Sequence, residues 1–305
     1  MTKDSLTAAE KTGRICNDCP RRCSAVRSEA AGEGFCRSGE LPWLVRAAPH
    51  FGEEPCISGR RGSGAIFFSG CNLRCVFCQN REISRKSVGK SVSVPRLREI
   101  MLSLRDQGVH NINLVTPTHF TRTIAEALDG LELDIPVVWN SSGYESAETL
   151  RMLDGLVQIY MPDYKYADRE LARRFSAAED YPETAAAAIE EMFRQRGPFV
   201  MGRDGLLQSG VLIRHLILPG HDANSMDAID FAADAFPEGS VLFSLMSQYT
   251  PMETFVRFPE LNGRVSAESN ELLRHYMRTR GLEGYWQEAD SATGEMIPAF
   301  DGTGV

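Results

Sequence analysis

An α/β fold of alternating strands and helices is predicted for most of this 305-residue chain. Three observations predict it: six short apolar runs rich in β-branched and aromatic residues, helix-period segments between them, and glycine or proline where the segments stop. The runs are Ala65–Ser69, Asn111–Thr116, Ile135–Asn140, Leu156–Met161, Val211–Leu218 and Val241–Ser247. They are apolar on both faces, as parallel strands covered on both sides are. Leu97, Ile100, Met101 and Leu104 repeat at helical spacing, with Pro95 near the start and Gly108 at the stop. Ile189, Met192 and Phe193 form a second stripe closed by Gly197-Pro198, and Leu272, Leu273, Tyr276 and Met277 a late one closed by Gly281. Six such repeats point to an open or partial (β/α) barrel or a doubly wound sheet. In either, ligands bind at the carboxyl ends of the strands.

With 43% hydrophobic and 24% charged residues, the composition excludes a disordered chain, a collagen-like fibre and a small disulfide-stapled scaffold. No run of about eighteen apolar residues occurs, so no membrane span is predicted. The polar start, Met1-Thr2-Lys3-Asp4-Ser5, leads to an expected cytoplasmic location. All eight cysteines lie within the first 78 residues, at 16, 19, 23, 36, 56, 71, 75 and 78. In a reducing compartment that clustering points to metal ligation rather than disulfides. Charge divides along the chain as well. Residues 1–100 carry 17 basic and 10 acidic side chains, whereas the whole chain has a net charge of −8. The overall acidity argues against nucleic-acid binding.

After the first strand comes Gly70-Cys71-Asn72-Leu73-Arg74-Cys75-Val76-Phe77-Cys78-Gln79-Asn80. Cysteines at C-x3-C-x2-C can hold three irons of a cubane and leave the fourth open for substrate chemistry. The competing reading is a zinc loop, which more often pairs two C-x2-C units. This motif, placed after the first strand of a (β/α) repeat, resembles the radical S-adenosylmethionine superfamily. Gly59–Asn80 with the later blocks is similar, more narrowly, to an uncharacterised subgroup of the pyruvate formate-lyase activating enzyme branch. The resemblance runs from about residue 50 to 255. It implies a partial (β/α)6 barrel and a four-iron–four-sulfur (4Fe-4S) cluster on Cys71, Cys75 and Cys78. The open iron would chelate S-adenosylmethionine, whose one-electron cleavage to a 5′-deoxyadenosyl radical serves hydrogen abstraction.

The resemblance also implies which residues hold S-adenosylmethionine. Asp163 and Lys165, in Met161-Pro162-Asp163-Tyr164-Lys165, match a D-x-K block near the methionine end, and Arg214 matches an arginine that reaches its carboxylate, with a structural salt bridge to Asp163 as the competing reading. An aspartate suits an ammonium and a lysine a carboxylate. Phe77 is expected against the adenine; Asn140, Ser141 and Asp163 fall where some relatives hold a monovalent cation. Relatives usually carry Gly-Gly-Glu after the second strand, where this chain reads Thr116-Pro117-Thr118-His119, so hydroxyls and carbonyls would replace that carboxylate. His119, Gln248 and Tyr249 are candidates to face the substrate. No residue is singled out as the catalytic acid, base or hydrogen donor on the substrate.

Cys16-x2-Cys19-x3-Cys23-x12-Cys36 supplies four more thiolates. They are enough for an auxiliary iron–sulfur cluster or a structural zinc, and unmetallated thiols are the remaining reading. Cys56 is left over as a buried thiol, with a hydrogen-donor or extra-ligand role as the lesser reading. No cysteine follows residue 78, which excludes the C-terminal pair of auxiliary clusters of many peptide-maturing relatives. The expected domains are a cysteine-rich extension (1–60), a barrel (61–255) and a helical C-terminal extension (256–305). The leading function is a radical S-adenosylmethionine oxidoreductase, with glycyl-radical activation of a partner enzyme as the branch's chemistry. A small molecule or another protein side chain is the alternative substrate, and a non-catalytic iron–sulfur carrier or a zinc-loop interaction protein the alternative class. The basic first hundred residues would suit an acidic electron donor such as a flavodoxin or ferredoxin.

Overall fold

The computed structural model describes residues 13–28, 32–287 and 298–305. Its main sheet uses β1 (Trp43–His50), β2 (Ser63–Phe68), β3 (Ile112–Val115), β4 (Val137–Ser141), β5 (Ile159–Pro162), β6 (Leu207–Leu216), β7 (Leu242–Met246) and β8 (Glu283–Trp286). From β2 to β8 each of these strands lies beside the next, all parallel, as successive β–α–β units place them. The result is an α/β partial barrel, one of the two arrangements the periodicity allows and the one the resemblance implies, with β2 to β7 at the six expected runs.

Two longer strands escape the sequence pattern, besides the two-residue strands Lys90–Ser91, paired with β1, and Val200–Met201, paired with β6. β1 pairs antiparallel with β2, although it lies in the stretch read as a cysteine-rich extension. Arg46 and Pro49 break its apolar alternation. β8 extends the sheet beyond β7 inside the stretch read as helical; Glu283-Gly284-Tyr285-Trp286 is too short to register as a run. The last residues lie along β1, where the Thr303 carbonyl accepts from Ala47 N–H at 2.8 Å.

The helices follow their stripes. α1 (Val94–Asp106) starts at Ser93, whose hydroxyl accepts from Arg96 N–H, and buries Leu97, Ile100, Met101 and Leu104. α2 (Thr121–Leu128) follows β3. Between β5 and β6 run α3 (Arg169–Ser176), capped by Asp168 at the Leu171 N–H, and α4 (Tyr181–Arg196). α5 (Asp222–Ala235) and α6 (Ala267–Thr279) complete the cover. In α6, Leu273 and Met277 are buried but Leu272 is 47% exposed, so its stripe is narrower than expected. No helix among the described residues is long and apolar enough to cross a membrane.

The loop from β1 to β2 closes the amino-terminal end of the strands. Its short helical turn, Pro55–Ser58, buries Cys56 and Ile57 against Val138, Ile159, Leu212 and Leu242. That loop also carries Glu53 and Glu54 into the barrel.

Candidate functional site

The cysteine loop leaves the carboxyl end of β2 through Gly70, at φ +84°. A side chain there would strike the Ser38 hydroxyl at 2.6 Å and the Cys36 carbonyl at 2.7 Å, so only glycine fits. Asn72 donates to the Tyr144 carbonyl at 2.6 Å, and Val76 N–H to the Phe175 carbonyl at 2.8 Å, which ties the loop to the segment after β4 and to the end of α3. Donors point at its sulfurs: Leu73 N–H at Cys71 (3.3 Å) and the Ser176 hydroxyl at Cys75 (3.0 Å). The Ser176 oxygen also lies 2.7 Å from the Tyr166 hydroxyl, and either can donate. Burial pushes the Cys71 and Cys75 thiols up, and the Lys165 ammonium pulls both back.

Lys165 thus faces the cysteine loop from the end of β5. Its ammonium pairs with Asp163 at 2.5 Å, and Asp163 accepts from Arg214 of β6 at 3.0 Å. Arg214 continues inward to Glu53 at 3.0 Å and to the Asn140 side-chain oxygen at 2.6 Å. Glu53 in turn accepts from Asn113 (2.9 Å) and Asn140 (3.1 Å). Glu54 lies in the field of the same guanidinium. Burial alone would raise the Asp163 carboxyl, but Lys165 and Arg214 hold it below its ordinary range. Burial raises Glu54, and Arg214 only partly offsets this. Glu53 and Glu54 went unnoticed in the sequence because they belong to a loop assigned outside the barrel.

The other predicted residues are placed as follows. Asn140 faces inward toward Arg214, whereas Ser141, the next residue of β4, turns to the opposite face and donates to Glu145 at 2.8 Å. The structure therefore joins the Asn140 and Asp163 side chains through Arg214, while Ser141 meets Asp163 through its backbone carbonyl, which accepts from Asp163 N–H at 2.9 Å. Phe77 is 7% exposed and packs edge-on against Tyr166, Phe175 and Tyr249. Tyr249 is buried, its hydroxyl donating to the Leu261 carbonyl at 2.7 Å; Gln248 is half-buried. His119 is buried behind the cysteine loop with Nε2 at 2.8 Å from the Ser69 carbonyl. Thr118 donates to Glu145 at 2.9 Å, which commits its hydroxyl. Thr116 has φ +61°, a left-handed conformation costing roughly 1–3 kcal/mol for a non-glycine residue. The backbone keeps a glycine-like turn at this strand end.

Cys16, Cys19 and Cys36 are buried and Cys23 is exposed. Burial pushes Cys19 up to about 12, and Cys36, Cys16 and Cys23 add to the shift, so the four sulfurs share one neighbourhood. Arg27, 4% exposed, directs Nη2 at the Cys36 sulfur (3.5 Å) and Nη1 at the Gly39 carbonyl (2.8 Å). Cys56 is sealed under the barrel, with burial pushing its thiol up to about 11. Among the described residues no three Cys, His, Asp or Glu side chains stand in metal-ligating geometry, so either cysteine set must rotate inward to close round a metal. The donors fit that role, because hydrogen bonds aimed at sulfur stabilise thiolate ligands.

A family model described as the radical SAM superfamily matches residues 65–232. An uncharacterised protein of Methanocaldococcus jannaschii is 31% identical over 275 residues, covering 86% of this chain and 74% of its own. The 7-carboxy-7-deazaguanine synthase of Methanothermobacter thermautotrophicus is 29% identical over 127 residues, 40% of this chain and 47% of that protein. Among solved structures, SuiB of Streptococcus suis bound to precursor peptide SuiA superposes with a TM-score of 0.51 at 16% identity. That match covers 75% of this chain, which spans only 49% of the SuiB chain.

Proposed function

We propose that this chain, which belongs to the radical SAM superfamily, is a cytoplasmic oxidoreductase of the pyruvate formate-lyase activating enzyme-like kind, acting on a protein substrate. In this reading Cys71, Cys75 and Cys78 hold a 4Fe-4S cluster and Asp163, Lys165 and Arg214 receive S-adenosylmethionine. When bound, these groups supply one-electron cleavage of the sulfonium and a 5′-deoxyadenosyl radical for hydrogen abstraction. The observation that carries the reading is the Asp163–Lys165 pair beside the cysteine loop.

That pair has a simple use. The methionine end of S-adenosylmethionine is a zwitterion, and an internal ammonium–carboxylate pair can be exchanged for two contacts of opposite sign at little net electrostatic cost. Arg214, held by Glu53 and Asn140, fixes where Asp163 stands. Ser176 and Leu73 N–H stabilise charge on the sulfurs, and the ring cluster about Phe77 excludes water from that side of the loop. A glycyl residue or another side chain of a partner protein is the proposed hydrogen source. The precursor peptide on SuiB supports a protein substrate, and an acidic flavodoxin or ferredoxin is the proposed electron donor. A small molecule is the second reading, favoured by the partial match to 7-carboxy-7-deazaguanine synthase.

The test is anaerobic reconstitution followed by reduction with S-adenosylmethionine and measurement of 5′-deoxyadenosine. A loaded protein that forms none overturns the reading. Cys75→Ala is expected to abolish nucleoside formation and to lose one cluster's iron; retention of both would reject the ligand assignment. Ser176→Ala should keep the iron but lower the cluster's reduction potential, since a donor to the Cys75 sulfur is lost. An unchanged potential in redox titration would remove Ser176 from the account.

A further inference from the structure

We infer that Cys16, Cys19, Cys23 and Cys36 hold a second iron–sulfur cluster, through which electrons enter the cluster on Cys71, Cys75 and Cys78. The inference rests on the reading above and adds the route by which that site is reduced.

The buried Arg27 is the first support. A guanidinium removed from water costs several kcal/mol unless an anion faces it. The hydrogen-bond acceptors at its two terminal nitrogens are the Gly39 carbonyl and the Cys36 sulfur, and Cys16 lies in the same field. The Asp18 carboxylate also lies in the field of Arg27, but it is already paired with Arg14 and Arg122; metal-bound thiolates at Cys16 and Cys36 would supply further negative charge, which neutral thiols do not.

The second support is how the two cysteine sets interlock. The Cys36 carbonyl lies against Gly70, immediately before Cys71, with no side chain between them. Arg21, within the turn from Cys19 to Cys23, donates to the Asn72 carbonyl at 2.8 Å and caps the end of α3 at Ser176. Arg74, between Cys71 and Cys75, donates to the Phe35 carbonyl at 3.1 Å and stacks on the Phe35 ring at 4.1 Å. The two sets therefore lie on segments packed directly against each other. A purely structural zinc would need no such proximity.

The third support is asymmetry. Three of the cysteines are buried, and Cys23 alone is exposed, next to exposed Arg22 and on the side where Arg37 and Arg74 are exposed. A solvent-facing cysteine in a segment that exposes Arg22, Arg37 and Arg74 suits an acidic one-electron donor of flavin or iron–sulfur type. One electron leaves that donor, resides on the four-cysteine cluster and passes to the three-cysteine cluster, which returns the former to its oxidised state. No bond in the protein forms or breaks.

The test uses the full chain, reconstituted anaerobically with iron and sulfide and reduced with photoreduced deazaflavin. A Cys71→Ala/Cys75→Ala/Cys78→Ala protein should retain about four irons and one cluster spectrum in electron paramagnetic resonance. Cys16→Ser/Cys19→Ser should retain the other, with Cys23→Ser as the milder variant if the pair misfolds. The native spectrum should differ from the sum of the two variants, because adjacent reduced clusters couple magnetically. Zinc or no metal in the triple variant overturns the proposal, and a strictly additive native spectrum overturns the relay. Arg27→Gln should make the second cluster's potential more negative; an unchanged potential removes Arg27 as its counter-charge. If the native protein shows both clusters yet forms no 5′-deoxyadenosine, the proposed function fails while the second site stands.

Discussion

Replacing Arg214 by methionine is expected to lower the unfolding free energy by roughly 3–5 kcal/mol, the usual cost of removing one partner from a buried ion cluster. Arg214 is 14% exposed in its side chain and contacts Asp163 and Glu53, themselves 15% and 9% exposed. Methionine fills similar volume, so the loss comes from stranded charge rather than a cavity. Lys165 still faces Asp163, whereas Glu53 and Glu54 keep no basic partner among their described contacts. Denaturant unfolding of the holoprotein gives the number, and the melting temperature should fall on the order of 10 °C. Glu53→Gln added to Arg214→Met should recover part of the loss, because it removes one stranded carboxylate. Such non-additivity is expected of residues sharing one network. A single variant within about 0.5 kcal/mol of native would mean that water reaches the cluster and screens it. The same variant should bind S-adenosylmethionine more weakly in calorimetric titration, since Asp163 loses the group that orients it.

How much of this was legible in the sequence depends on where each signal lies. β2 to β7 are continuous apolar runs, because both faces of a parallel sheet are covered, and such runs survive any detail of packing. The cysteine loop is local, so its spacing announces it, whereas the D-x-K block is picked out by the family resemblance. Glu53 is different: its meaning depends on a loop that folds under the barrel and meets Asn113, Asn140 and Arg214, residues 60 to 161 positions away. Ser176 carries no local signal either, since a serine at the end of α3 matters only once that helix end docks on Cys75. Arg27 reads in sequence as one more surface cation and is revealed as buried only by the fold. Ser141 shows the limit of adjacency in sequence. It neighbours Asn140 in sequence, but the period of two along a strand sends the two side chains to opposite faces.

Acid is expected to destabilise the protein through His215, with a sign fixed by its surroundings. The ring is wholly buried in β6, with Nδ1 at 2.6 Å from the Tyr164 carbonyl and Nε2 at 2.9 Å from the Ser225 hydroxyl. A neutral imidazole satisfies both, donating from Nδ1 and accepting at Nε2. Burial pushes its pKa down to about 4 from the ordinary 6.5. Between those two values the unfolded chain binds a proton that the folded chain does not, so stability falls as pH falls through that window. Above about 6.5 the contribution is complete, and below about 4 it has been lost. The full shift corresponds to roughly 3 kcal/mol. His215→Gln cannot titrate, so its unfolding free energy should decline less steeply than the native protein's between those pH values, whatever its stability at neutral pH. The measurement is chemical unfolding of both proteins across pH 4–6.5, and the readout is the difference in slope. That difference separates the histidine from acid effects on bound metal, which act on both proteins alike. Parallel slopes would mean that His215 is protonated in the folded state, with the Ser225 hydroxyl turned to accept from Nε2.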